Sequence, residues 1–275
     1  MKRSCGRVRK QIKSGINNII VNELENLKFS VLGLNKGETY TQNTVNREYA
    51  IVLVEGLCSL LIKGSGIKKL IGPRKDPFND LPFTLLISRD EEITLNALQN
   101  SLIAIGSSPA EKKYDFSFIT PNEVRRTTRG AENWKREIRK VCWSDNTKAN
   151  YLLVAETIIP SGNWGTIPPH RHQYNTLGEE ACYEEIYFFR FSRKEGFGLI
   201  WQFDDSGKMD QAFSLKNNDL AFMKNGYHPV VAGPGSYLYQ LTMMAGKKRI
   251  SRARIHDDYK FLLEEEGLNN QFTPD

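Results

Sequence analysis

The sequence lacks any apolar run approaching the ~18 uncharged residues that a spanning helix needs, which excludes a helical membrane protein. Its opening residues are basic, but no apolar segment of the secretory kind follows them, so export by that route is not expected. Cysteine is scarce: Cys5, Cys58, Cys142 and Cys182 are widely scattered and form no CxxC pair. That excludes a disulfide framework and a thiolate zinc module, and it points to free thiols in a reducing cytoplasm. Cys182 is expected to be a buried spectator rather than a nucleophile. Acidic residues are missing from the first 22 positions, where Lys2, Arg3, Arg7, Arg9, Lys10 and Lys13 carry much of the net charge of +6. Residues 1–20 are therefore expected to form a basic, mobile arm. With no zinc-finger spacing and no aromatic RNA-binding signature beside it, nucleic acid is not an expected partner. What remains is a 275-residue chain, 40% hydrophobic and 25% charged, the profile of a soluble globular protein with one large domain or two ordinary ones.

Short apolar runs dominate the chain. Phe29–Leu34, Tyr49–Val54, Leu57–Ile62, Phe83–Ile87 and Ser101–Ile105 form one set, separated by turn formers such as Asn35-Lys-Gly37, Gly64-Ser-Gly66 and Gly72-Pro73. Tyr151–Ile159, Glu185–Phe191, Gly198–Phe203, Asp219–Met223 and Tyr237–Met244 form a second. Only 15–28 and 257–266 read as helical. The pattern predicts an all-β fold of the sandwich or barrel kind. The two sets resemble each other. Val31–Gly37 leads through a loop to Arg47-Glu-Tyr-Ala-Ile-Val, and Thr157–Gly162 leads through a loop to Glu184-Glu-Ile-Tyr-Phe-Phe. A duplicated barrel follows: an arm at 1–20, a first barrel at 21–107, a joining stretch at 108–148, and a second barrel with a C-terminal extension at 149–275.

The four histidines carry the strongest functional signal. His170 and His172 form an HxH pair, Glu185 follows thirteen residues later, and His228 stands in Gly226-Tyr-His-Pro229. On a strand, residues i and i+2 share a face, so both imidazoles can converge on one ion. Glu185 opens the next strand and His228 follows a glycine turn. Three imidazoles and a carboxylate suit one divalent ion, zinc first, with manganese, iron, nickel or cobalt also possible. Four ligands leave room for water or substrate.

This His-x-His, Glu, Gly-x-His order resembles the metal box of the cupins. Residues 160–190, together with Gly196-Phe-Gly198, Gly226–Pro229, Met243–Gly246, Arg254–His256 and the Glu123–Gly130 segment, are similar to the 5-deoxy-glucuronate isomerases of myo-inositol catabolism. The resemblance runs from about residue 30 to 260 and is stronger in the second half. It implies a bicupin, two double-stranded β-helix (jelly-roll) barrels with few short helices, whose first barrel is degenerate; residues 30–106 contain no histidine. It also implies an isomerase converting 5-deoxy-D-glucuronate to 2-deoxy-5-keto-D-gluconate, with His170, His172, Glu185 and His228 as the metal ligands. The chemistry moves a proton between C1 and C2 through an enediol(ate), with a Lewis acid and a general base. Tyr187, Tyr227, Tyr239 and Lys224 are candidates for proton transfer, and Arg190 and Arg254 for the substrate carboxylate.

Three departures from the family pattern bear on substrate: Lys224 where proline is usual, Gln173 where the loop commonly starts with Asp, and the basic stretch Lys247–Arg254. Competing readings are the sister ketol-isomerase acting on 5-keto-4-deoxyuronate, an Fe(II) dioxygenase, and a non-catalytic sugar-acid-binding cupin. The expected partners are a small sugar acid and a second copy of the chain, since exposed sheet edges favour a homodimer.

Overall fold

Alternating and continuous apolar runs form strands almost throughout the computed structural model, which describes residues 4–19, 21–143 and 147–265. The chain divides into two compact units. One holds Gln11–Arg125 and Val141–Val154; the other holds residues up to Lys10, Arg126–Lys140 and those from Ala155 onward. The joining stretch expected at 108–148 is thus itself structured. It contributes the strand Ser117–Ile119 to the first of these units, and the second takes in Arg126–Lys140.

In the unit beginning at Gln11, the two runs read as separate strands are one 16-residue strand, Arg47–Ile62. Its first half pairs with Thr84–Ile87 and Ser101–Pro109, and its second half with Ile67–Arg74 and Glu92–Ala97. The register shifts between Leu53 and Glu55 and again between Gly56 and Cys58. Gly56 sits at φ +112°, and a Cβ there would lie 2.6 Å from Ser101 Cα, so glycine lets the strand turn the corner from one sheet face to the other. Leu32, Leu53, Leu60, Leu85, Ile93 and Ile103 fill the interior with hydrocarbon. Glu48, fully buried on the opposite face, accepts hydrogen bonds from the backbone N–H groups of Asn150, Tyr151 and Leu152 at 2.7–2.9 Å and from Tyr114 Oη at 2.9 Å.

Two readings of the N-terminal region are corrected. The arm expected to be mobile forms the strand Cys5–Val8, paired antiparallel with Leu220–Met223. Its charge is engaged: Arg9 makes a two-pronged contact with the buried Asp219 carboxylate at 2.8 and 2.6 Å, and Arg7 donates to Ser214 O at 2.9 Å. Lys2 and Arg3 lie outside the described residues. The helix expected at 15–28 is a strand, Gly15–Ile19, followed by turns. Its burial alternates, Ile16 out, Asn17 in and Ile19 in, which is the period of a strand paired with Lys28–Leu34. The short helix Phe261–Glu265, preceded by a 3₁₀ turn at Asp257–Tyr259, falls where helix was expected; position 266 lies outside the described residues.

In the other unit, one sheet runs in the order Cys5–Val8, Leu220–Met223, Glu184–Phe191, Leu238–Ala245 and on to the strand Leu152–Ile159, of which the part from Ala155 belongs to this unit. A second sheet has the order Trp164–Gly165, Val230–Ala232, Gly198–Phe203, Asp210–Leu215. Tyr187, Phe189, Phe191, Ile200, Val230 and Leu238 meet in its core. No helix among the described residues is long and apolar enough to cross a membrane.

Replacing Glu48 with Ala strands one buried backbone donor, at a cost of about 1–3 kcal/mol, and two part-buried ones at less. Urea unfolding should show the Glu48→Ala protein less stable by about 2 kcal/mol or more, and an unchanged midpoint would refute the role assigned to this carboxylate.

Candidate metal centre

The centre is assembled on the strand Glu184–Phe191. Alternation sends Glu185, Tyr187 and Phe189 inward and Glu184 outward, where Lys224 Nζ stands 3.9 Å from it. His170 lies on the two-residue strand His170–Arg171, paired with Arg254–Ile255, and His172 follows it. His228 comes in from the turn at Gly226. That residue has φ +79°, and an added Cβ would fall 2.6 Å from Phe203 O, so glycine is required at the bend.

The ligand atoms of His172, Glu185 and His228 lie within 4.8 Å of one another, and all three residues are buried. His172 Nε2 is 2.7 Å and His228 Nε2 3.1 Å from Glu185 Oε2. His170, the fourth expected ligand, is outside that tight set; its ring centroid stands 5.4 Å from that of His228.

The outer nitrogens explain why these rings face inward as they do. His170 Nδ1 is 2.9 Å from Pro168 O, His172 Nδ1 3.3 Å from Tyr183 O, and His228 Nδ1 3.1 Å from Gly226 O. A carbonyl only accepts, so each Nδ1 carries the hydrogen, and in the neutral ring each Nε2 then carries a lone pair. His228 Nε2 is buried with no hydrogen-bond partner of acceptable geometry. Lone-pair nitrogens closing on a carboxylate need a cation between them, and a divalent metal ion fits this donor set. For His170 the electrostatics agree, while His172 and Glu185 stabilise each other's charge. Burial lowers His170 to about 3, assisted by His228, which keeps it neutral. Burial would raise Glu185, but His172 beside it outweighs burial and holds the carboxyl well below its ordinary value. Burial likewise opposes charge on His172, and Glu185 more than offsets it, raising that imidazole.

The remaining sequence candidates separate by face. Tyr187 is in the site: its ring meets His228 edge-on at 5.8 Å, and its hydroxyl lies near enough to Glu185, Thr166 and Gln240 for each to act on it. Burial and the adjacent carboxylate push this phenol far above its usual range, so it stays protonated and donates. Tyr239 faces away, with its hydroxyl on Glu156 at 2.8 Å, and Arg190, its cross-strand neighbour, shares that outer face and donates to Asn218 at 3.4 Å. Tyr227 turns from the ligands toward Asp205, 3.0 Å away, stacks on Phe203 and meets His256 edge-on. Arg254 is partly exposed and paired with Glu179 and Asp257, and Lys224 lies on the Glu184 face. The geometry therefore brings Tyr187 alone of these six to the cluster. Cys182 is half-buried and its thiol is raised by burial, in keeping with a spectator.

Sequence reasoning passed over two kinds of residue. Thr166 and Gln240 reach Tyr187 from loop and neighbouring strand, and nothing in their local sequence marks them. Gln173, noted only as a departure, accepts the Gly226 N–H through Oε1 at 3.0 Å. It joins the chain just past His172 to Gly226, the residue whose own carbonyl orients His228, and so ties two ligand arms together.

A sequence profile described as the KduI/IolB family matches residues 6–262. The 5-deoxy-glucuronate isomerase of Geobacillus thermodenitrificans is 31% identical over 241 residues, covering 87% of each chain. The enzyme of that name from Bacillus subtilis (strain 168) is 31% identical over 243 residues, covering 88% of this chain and 89% of its own. Among solved structures, an iolb-like protein from Salmonella typhimurium superposes with a TM-score of 0.88 at 26% identity, over 93% of this chain and 98% of its own. Oxalate decarboxylase from Lactobacillus farciminis superposes with a TM-score of 0.65 at 10% identity, over 96% and 94% respectively, a likeness of fold. The expected all-β bicupin is borne out.

Gln173→Ala frees the Gly226 peptide without touching a ligand. Loss of such a supporting contact typically weakens metal binding 10–100-fold. Competition against a coloured chelator should show at least the lower figure, and wild-type affinity in the variant would remove the assigned role.

Proposed function

The chain belongs to the KduI/IolB family, and from that premise we propose that it is a metal-dependent aldose–ketose isomerase that converts 5-deoxy-D-glucuronate to 2-deoxy-5-keto-D-gluconate. The observation that carries this reading is the inward Nε2 of each imidazole around Glu185, with each Nδ1 held by a backbone carbonyl. The curated relatives at about 30% identity bear this activity in their names, which favours it over the sister uronate isomerase.

His170, His172, Glu185 and His228 would hold the ion, and we assign zinc, which accepts borderline nitrogen and oxygen donors. A bound divalent ion polarises a substrate carbonyl and steadies the negative charge that develops on its oxygen. The protein's own groups do the rest. Glu185 offsets the ion's charge and is aimed by His172, His228 and the Tyr187 hydroxyl. Tyr187 holds a proton at its Oη while Thr166 and Gln240 contact the same atom. This chain can deliver and recover a proton as the substrate passes between aldose and ketose. Phe189, Ile200 and Val230 line the adjoining core and keep bulk water from quenching the enediol(ate). A cytoplasmic homodimer belongs to the same reading, and light scattering would check the assembly.

Metal-loaded protein incubated with 5-deoxy-D-glucuronate in D₂O should yield the ketose by NMR, with solvent deuterium incorporated; a chelator should abolish turnover and added metal restore it. His170→Ala and His228→Ala should each lower kcat/KM by orders of magnitude in a folded protein. Tyr187→Phe should keep its metal while kcat falls about 10²-fold, the scale of a lost proton-transfer group. Bound metal with no turnover in the wild type would move the protein to another sugar acid.

A further inference from the structure

The metal cluster accounts for His228 Nε2, yet two other buried polar atoms on the inner wall have no partner: Gln202 Oε1 and Gln240 Oε1. Their burial is nearly complete, at 0% and 3% exposure. Leaving an amide carbonyl dry and unpaired is costly enough that native proteins rarely do it. Two such atoms in one barrel, beside a catalytic cluster, call for a common explanation.

Gln202 is placed by register. Its strand pairs with the His228 segment antiparallel, with Ile200 opposite Val230 and Phe203 opposite Tyr227. The hydrogen bonds Trp201 N to Pro229 O and Phe203 N to Tyr227 O continue that register, so Gln202 lies directly opposite His228. Opposite residues share a face with Cβ atoms about 4.5–5.5 Å apart. The Gln202 amide nitrogen is already committed to Phe222 O at 3.3 Å, which holds the side chain in one orientation and leaves only the carbonyl available. Gln240 repeats the arrangement. Its nitrogen donates to Thr242 Oγ1 at 3.3 Å and contacts Tyr187, and its carbonyl is left over.

We infer that Gln202, with Gln240 as its counterpart, is a substrate-binding residue whose amide oxygen accepts a hydrogen bond from a hydroxyl of the sugar acid. The inference rests on the function proposed above and adds to it the groups that select a polyhydroxylated chain. A neutral acceptor suits this task. A carboxylate at the same place would compete with Glu185 for the ion, and a cation would repel it. An apolar residue would accept a substrate that lacks the hydroxyl, whereas a buried carbonyl penalises one, because the carbonyl then stays unpaired.

The test is a cycle between side chain and substrate. Metal-loaded full-length wild type, Gln202→Met and Gln240→Met are assayed with 5-deoxy-D-glucuronate and with analogues that each lack one hydroxyl. For Gln202→Met, kcat/KM should fall roughly ten-fold, carried mainly by KM, with metal content unchanged; this is the scale of one neutral hydrogen bond. One analogue should cost the wild type a similar factor and cost the variant nothing further, and Gln240→Met should be blind to a hydroxyl in the same way. Gln202→Asn, which keeps an amide in the core but withdraws the oxygen by one methylene, should behave like Gln202→Met and guards against misfolding of the first variant. If the wild type and the variants lose equally on every analogue, the glutamines play no part in substrate binding and the inference is overturned. A metal-loaded wild type that does not turn over 5-deoxy-D-glucuronate overturns the isomerase reading itself, and this inference with it.

Discussion

Each imidazole of the cluster gives its outer N–H to a backbone carbonyl, and much of the second unit is arranged to supply those carbonyls in the right places. Pro168 O, Tyr183 O and Gly226 O belong to three separate loops. Each loop is held by its own devices. The Tyr183 N–H returns to His172 O at 2.9 Å, closing the excursion between two ligands. Glu180 accepts from the N–H groups of Gln173 and Tyr174, and Gln173 in turn reaches Gly226. A ring whose tautomer is fixed in this way has one lone pair, pointing one way, before any ion arrives. Pre-organisation of this sort lowers the ordering cost of binding and discriminates against ions that need a different donor number.

The same strand that carries Glu185 separates two polar worlds. Inward, Glu185 and Tyr187 face the imidazoles and the unpaired glutamine carbonyls. On the outer face, Tyr239 and Arg139 converge on the fully buried Glu156, at 2.8 and 3.4 Å. Both sets contain tyrosine and carboxylate, so composition alone cannot tell chemistry from structure. The distinction lies in satisfaction: the outer carboxylate is met by a guanidinium and a hydroxyl, whereas the inner cluster keeps lone pairs facing one another.

Legibility followed locality. His-x-His and a carboxylate at the start of the next strand suggest convergence by a period of two, and three of the four expected residues, His172, Glu185 and His228, meet in the structure. The apolar cores were legible for the same reason. What spacing could not show was parity relative to a strand whose phase is set elsewhere: Tyr187 and Tyr239 look alike in sequence, and only pairing with Leu238–Ala245 puts one inside and the other out. Gln173, Thr166 and Gln202 matter through contacts with residues far along the chain, and a lone polar residue carries no periodic signature. The basic start was misread because charge density resembles that of a solvated arm. Its partners, Asp219 and Ser214, lie some two hundred residues away. Gly15–Ile19 was misread because five residues are too few to distinguish the two periods.

That first strand has a consequence for how the molecule is made. Cys5–Val8 cannot pair until Leu220–Met223 has been synthesised, and Lys224 N then extends the ladder by donating to Ser4 O at 2.8 Å, two residues from the glycine that turns His228 inward. At about 5–20 residues per second the ribosome needs ten seconds or more to cover that span. Through that interval the chain's first strand waits unpaired while the intervening strands assemble. The backbone leading to the His228 turn is therefore flanked by a segment made some two hundred residues before it.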